Sequence, residues 1–203
     1  NMGVQAKSFQ LDLNKVKNIE NFYKKVITHF KKVDILINNA SIFELDSLAT
    51  TNIEILEKHL NVNFKAPYLF SKFFVENNNK NKGNIINIID QRVMNITPYF
   101  LSYTISKSAL WTMTRSLAMS LAPNIRVNAI APGPTLQSKR QSSKQFIAQI
   151  KRTPLKKQVK LEEINEALNF ILNTESLTGQ LFLLDSGQNM GWSHAKSKIL
   201  IDD

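Results

Sequence analysis

The chain has 203 residues, 43% of them hydrophobic and 21% charged, with no cysteine. That is the length of one domain and the composition of a globular one, and it excludes wholesale disorder, collagen, a disulfide framework and a Cys-ligated metal site. The net charge of +10 comes from 21 lysines against 5 arginines, in scattered pairs such as Lys24-Lys25, Lys31-Lys32 and Lys156-Lys157, which is compositional bias rather than the arginine forks and clustered aromatics of a nucleic-acid reader. No apolar run approaches the roughly 20 residues that cross a bilayer, and residues 1–7 contain no apolar signal core. The expectation is a cytoplasmic protein with no membrane or nucleic-acid partner.

Residues 5–13 read as a strand ending in Leu11-Asp12-Leu13. Residues 16–32 have helical spacing, with Ile19, Phe22, Val26, Ile27 and Phe30 on one face. Residues 34–40 form a buried strand. Residues 51–79 make one long helical region, opened by the capping pair Thr51 and Glu54 and bent at Pro67. The isoleucine-rich stretch 83–90 is a strand, 99–121 a helix stopped by Ala122-Pro123, and 125–131 a strand broken by Pro132-Gly133-Pro134. Helices follow over 141–151 and 161–173, and 179–185 is the last strand. This alternation predicts an α/β, doubly wound parallel sheet with helices on both faces, in a single domain over 1–203. Such sheets bind ligands beyond the carboxyl ends of their strands. Those ends are Asp12, 38–43, 90–92, 132–135 and 185–188.

Within the 99–121 helix, Tyr103 and Lys107 are four residues apart and share a face. An ammonium beside a phenol favours the phenolate and draws the tyrosine pKa towards useful acid–base range. The bland alternative is a packed tyrosine and a solvated lysine. Placement argues against it. A strand ends at Asp90, thirteen residues before Tyr103, another ends in Asn38-Asn39-Ala40, and Pro132-Gly133 closes a third.

In this order, Asp12, Asn38-Asn39-Ala40, Asn63, the 83–90 strand, Tyr103 with Lys107, Arg126-Val127-Asn128, Pro132-Gly133 and the closing Thr178-Gly179-Gln180 and Leu184-Asp185-Ser186-Gly187 resemble the short-chain dehydrogenase/reductase family. The resemblance implies a Rossmann-like fold and a nicotinamide cofactor, NADPH with NADH as the alternative. It makes Tyr103 the general acid. Lys107 would lower its pKa and bond the nicotinamide ribose, and Asn63 would hold a relay water. Asn39, Ala40 and Ser41 would line the cofactor cleft. Asp12 and Leu13 would approach the adenine, and Pro132 and Gly133 the nicotinamide. A homo-oligomer, tetramer or dimer, is the family expectation.

Two departures matter. The family usually has serine where this chain has Asp90. A hydroxyl suits a ketone oxygen, whereas a carboxyl suits the N–H and amino groups of a nitrogen heterocycle. Aspartate there, and an Asn39-Ala40-Ser41-Ile42-Phe43 segment, resemble the pteridine and dihydromonapterin reductase branch. In that branch the phenylalanine stacks on the pterin, so Ser41, Phe43, Asp90, Tyr103 and Pro134 are the expected substrate contacts. The second departure is at the front. Family members open with a strand, a glycine-rich phosphate-binding turn, a helix, a second strand and a second helix, and nothing here matches these. The sequence therefore reads as N-terminally incomplete, with a gap roughly 10 Å wide expected between the 5–13 and 34–40 strands.

The expected activity is hydride transfer to a C=N bond of a dihydropterin or dihydrofolate. The rivals are a carbonyl reductase, such as a 3-ketoacyl-carrier reductase, and a catalytically inactive remnant or binding protein. His29, His59 and His194 lie on unrelated segments, so no metal site is expected. Trp192 is a candidate to close the pocket or to pack at a subunit contact.

Overall fold

The computed structural model describes residues 3–78 and 81–191, so Trp192 and His194 lie outside the described residues. Four strands, β1 (Ile35–Asn38), β2 (Gly83–Ile88), β3 (Ile125–Pro132) and β4 (Leu181–Leu184), pair in the order β1-β2-β3-β4. Every pairing is parallel, with Ile85 opposite Leu36 and Val127, and Ile130 opposite Phe182. Parallel neighbours need crossovers. These are supplied by α2 (Ile53–Leu60) and α3 (Ala66–Asn77), by α4 (Leu101–Leu121), and by α5 (Ser143–Arg152) and α6 (Leu161–Asn173), with α1 (Ile19–Phe30) ahead of β1.

Alternation along a strand sends successive side chains to opposite faces. Ile85 and Val127 join Ile19, Tyr23, Ala66, Phe73 and Phe74 on one side, while Ile86 and Ile130 meet Ile171 of α6 on the other. Asn38 and Asn87 of the strands are buried but bonded. Asn38 Nδ2 donates to Asn87 Oδ1 at 2.8 Å, and Asn87 Nδ2 donates to Thr114 Oγ1 at 2.8 Å. This polar thread ties β1 to β2 and β2 to α4, and it offsets the cost of burying three polar side chains.

Four expectations need correction. Residues 5–13 do not form a strand. Phe9 packs edge-on against Phe22, His29 and Phe30 of α1, and Leu11 and Leu13 lie on the core cluster. No strand among the described residues offers the segment a ladder partner, so alternation alone could not make it β. The cap of α2 is Asn52 rather than Thr51. Its backbone is extended and its Oδ1 accepts the Ile55 N–H at 2.8 Å. The long helix is also not continuous. A π-helical turn at Asn61–Lys65 separates α2 from α3, with Pro67 at the start of α3. On α1, Tyr23 takes the buried position expected of Phe30, which is 37% exposed. Among the described residues no helix is long and apolar enough to cross a membrane.

Candidate active site

The carboxyl ends of the strands open onto a cavity of about 1250 Å³. Asn39, Ser41 and Phe43 line it from the segment after β1, and Asp90 and Arg92 from the segment after β2. Pro132, Gly133 and Pro134 line it after β3, and Tyr103 and Lys107 from the first turns of α4. Gly133 could hardly be another residue, since a Cβ there would sit 2.7 Å from the Asp185 Cα. The chain just beyond β3 and β4 thus runs in close contact beside the cavity.

Tyr103 and Lys107 are both buried. The Tyr103 hydroxyl donates to Asp90 Oδ2 at 2.8 Å, and the other carboxylate oxygen accepts the Arg92 N–H at 2.8 Å. Burial, then the neighbouring Asp90 charge and its hydrogen bond, push the Tyr103 pKa well above its ordinary value, and the Arg92 guanidinium opposes them. This differs from the sequence expectation that Lys107 would pull the tyrosine down. Lys107 Nζ instead donates to the Ile88 carbonyl at 2.8 Å and lies 5.7 Å from the Tyr103 ring centroid. Burial pushes the lysine itself down to about 8, with Asp90 resisting. The helical spacing brings the pair to one face as expected, but the carboxylate thirteen residues earlier is the group in contact with the phenol.

The wall that holds Tyr103 is stitched from several elements. The π-turn delivers Asn63, fully buried. Its Oδ1 accepts from the Ile42 N–H at 2.9 Å and Ser41 Oγ at 3.1 Å, and its Nδ2 donates to the Ile42 carbonyl and to Ser106 Oγ, both at 3.0 Å. Two acceptor and two donor positions are all an amide has, so no side-chain position of Asn63 is left for the expected relay water. The residue braces the segment after β1 against α4. Asp46, 1% exposed, caps α4 from outside its own sequence. Its carboxylate accepts the Ser102 N–H at 3.2 Å and the Ser102 hydroxyl, and its carbonyl accepts the Leu101 N–H. An anion at a helix N-terminus also meets the positive end of the helix dipole. His59 is fully buried nearby. The Glu44 N–H donates to its Nε2, which leaves Nδ1 to donate to the Ile55 carbonyl at 2.8 Å.

Phe100 precedes α4 in a left-handed conformation, φ 57°, which costs a bulky residue about 1–2 kcal/mol. Its ring stacks on Phe43, centroids 4.2 Å apart and 7° from parallel, and Tyr103 meets Phe43 edge-on at 4.7 Å. Phe43 therefore has one face backed by Phe100.

Not every expected residue reaches the cavity. Asp12 is exposed, and its carboxylate accepts the Asn14 N–H in a local turn, while Leu13 packs on the core. Ala40 is exposed and is not among the lining residues; Asn63 stands behind the wall. Conversely, Phe100 and Asp46 were not marked by the sequence and carry no local signal; Arg92 fell within the 90–92 strand end expected to meet a ligand, but no role was given to it.

The family model described as enoyl-(acyl carrier protein) reductase matches residues 1–189. An uncharacterized oxidoreductase of Thermotoga maritima is 35% identical over 189 residues, covering 84% of this chain and 73% of its own. A dihydromonapterin reductase of Enterobacter sp. is 27% identical over 186 residues, covering 90% of this chain and 78% of its own. Among solved structures, the FolM alternative dihydrofolate reductase 1 of Brucella suis, in complex with NADP, superposes with a TM-score of 0.87 at 38% identity, covering 92% of this chain and 75% of the other. With a parallel sheet, a Tyr103–Lys107 pair at its carboxyl ends and a family match along nearly its whole length, the chain belongs to the short-chain dehydrogenase/reductase family.

Proposed function

We propose that the protein is an NADPH-dependent reductase that adds hydride to a C=N bond of a dihydropterin or dihydrofolate, with Tyr103 as proton donor. One observation carries the reading: a carboxylate, Asp90, is bonded to the Tyr103 hydroxyl at the cavity wall, where a simple carbonyl reductase needs only hydroxyls. The dihydromonapterin and dihydrofolate reductases among its relatives support it.

The donor set fits the nicotinamide end of the cofactor. Lys107 has three N–H donors and spends one on the Ile88 carbonyl, which leaves two for ribose hydroxyls. The backbone at Pro132 and Gly133, with Asn39 and Ser41, forms the adjoining wall. When bound, the cofactor supplies the hydride. Asp90 accepts N–H and amino hydrogens of the heterocycle. That contact draws its charge away from the phenol and relieves the part of the rise in the Tyr103 pKa that Asp90 adds to that of burial. Tyr103 then passes its proton to the ring nitrogen. Phe43, backed by Phe100, offers its other face to the flat ring.

The full-length protein, assayed with dihydrobiopterin, dihydromonapterin, dihydrofolate and an acetoacetyl thioester, is expected to reduce a pterin fastest. Asp90→Ser should depress pterin reduction while leaving NADPH binding intact, and Phe43→Ala should weaken pterin binding by about 1–3 kcal/mol. A wild type that reduces the thioester faster than every pterin, with Asp90→Ser no worse, would replace this reading with a carbonyl reductase.

A further inference from the structure

Arg92 has no part in the proton transfer above, yet it is buried at its edge, 7% exposed. Its guanidinium carbon lies 4.8 Å from the Phe100 ring centroid and 5.7 Å from that of Phe43. A planar cation against two stacked rings is held in place. A guanidinium carries five N–H donors. Among the described residues only one has an acceptor, Nη1 donating to Thr97 Oγ1 at 3.2 Å. No carboxylate among the described residues stands at ion-pair distance from it. The remaining nitrogens are not sealed in protein, since none is among the buried polar atoms that lack a partner, and the residue lines the cavity. A buried cation is costly unless something pairs with it. Here the unspent donors open onto the cavity shared by Asp90 and Tyr103.

We propose that Arg92 is a specificity-determining residue that donates to an oxygen of the substrate heterocycle, the ring oxo group of a pterin. The inference rests on the pterin reading. Asp90 offers acceptors and Arg92, two residues on, offers donors. A pterin presents the complement, N–H and amino donors beside an oxo acceptor. A simple ketone presents one acceptor, which Tyr103 alone satisfies. The fixed cation also opposes the rise that burial and Asp90 impose on the Tyr103 pKa.

The test uses the full-length protein with cofactor bound and two probes: pterin, and a diaminopteridine in which an amino group replaces the oxo oxygen. Arg92→Met keeps the apolar stem on the rings and removes the donors; Arg92→Lys keeps the charge without the fork. Pterin affinity, read by calorimetry, should fall about 10–100-fold in Arg92→Met, the scale of a hydrogen bond to a charged group. Diaminopteridine affinity should hold or rise, and Arg92→Lys should fall between. Equal losses for both probes would assign Arg92 to wall packing and overturn the proposal, as would no loss for either. A variant that loses dihydrofolate but keeps dihydropterin would move the contact to the tail carboxylate, again overturning it. These outcomes presuppose a wild type that reduces a dihydropterin. If wild type reduces only ketones, the pterin reading itself fails and takes this contact with it.

Discussion

The two walls of the cavity are built differently. The wall from Ser41–Asp46 and the start of α4 is fixed by buried and half-buried bonds between residues distant in sequence: Asp46 to Ser102, Asn63 to Ile42 and Ser106, Asp90 to Tyr103. The facing wall is tied at its start to distant residues, the Pro134 and Thr135 carbonyls accepting from the Val159 N–H and Gln158 Nε2, but from Leu136 to α5 it is held by near neighbours. Gln137 Nε2 donates to the Gln141 carbonyl, Ser143 Oγ to Gln137 Oε1, and Gln141 Nε2 to Gln149 Oε1. Leu136 on this side is 67% exposed. Arg140 reaches across, 3.9 Å from Glu44. Tyr103 and its carboxylate partner thus sit on the side whose geometry is over-determined, as the proposed proton transfer, sensitive to small displacements, requires. The opposite side, tethered locally, is the one free to vary with the shape of what enters.

The contrast is most sharply broken at Tyr103. Tyr103→Phe should cut turnover about 10²–10⁴-fold, the usual loss of a general acid, while NADPH affinity by calorimetry stays near wild type. Near-normal turnover would remove the chemistry from the rigid wall altogether. Asp46→Ala comes next. It strands the Ser102 N–H and hydroxyl and should destabilise the fold by about 1–3 kcal/mol in urea unfolding. kcat should drop more than KM changes, because the residue touches no substrate but sets the start of the helix that carries Tyr103.

A third effect is one of pH. Lys107 titrates at about 8 in the fold against an ordinary 10.5. Between those values the unfolded chain binds more protons, so unfolding free energy should rise with pH, by at most about 1.4 kcal/mol per unit. Tyr103, with its raised pKa, acts in the opposite sense above 10.0, so the slope is best read below that point by denaturant unfolding. Lys107→Met should flatten it; an unchanged slope would mean the lysine is not the group responsible. The smallest effect belongs to the facing wall, where Leu136→Ala should leave thermal stability within about 0.5 kcal/mol. A larger loss would show that wall to be as constrained as its partner.

How far the sequence foretold this depends on distance along the chain. Tyr103 and Lys107, one helical turn apart, were legible because helical periodicity alone aligns them. The strands at 34–40, 83–90 and 125–131 were legible because buried parallel strands read as near-continuous apolar runs. Residues 5–13 show a similar alternation, yet whether such a segment becomes a strand depends on what lies beside it. Thr51 and Asn52 are both capping residues, asparagine the somewhat better one; the Thr51–Glu54 spacing points to the first, and the backbone angles that decide for the second are displayed by no pattern. The Asp46–Ser102 contact, 56 residues apart, and the unspent donors of Arg92 are tertiary facts. So is the high Tyr103 pKa, because burial sets it and the helix spacing suggested the opposite sign.

The π-turn at Asn61–Lys65 also sets what kind of change this helix tolerates. A π-turn takes up one residue more than the α-helix on either side of it. Deleting any one of these five residues would let α2 and α3 merge into a regular helix, at no loss of backbone bonds. Because the turn itself absorbs the extra residue, the two helices would keep their faces, and Phe73 and Phe74 of α3 would stay in the core they fill. What would be lost is the widened turn that presents Asn63 to Ile42 and Ser106. Point substitutions on the outer face of this segment can accumulate, but losing its extra residue surrenders the bracing of the cavity wall while leaving the core intact.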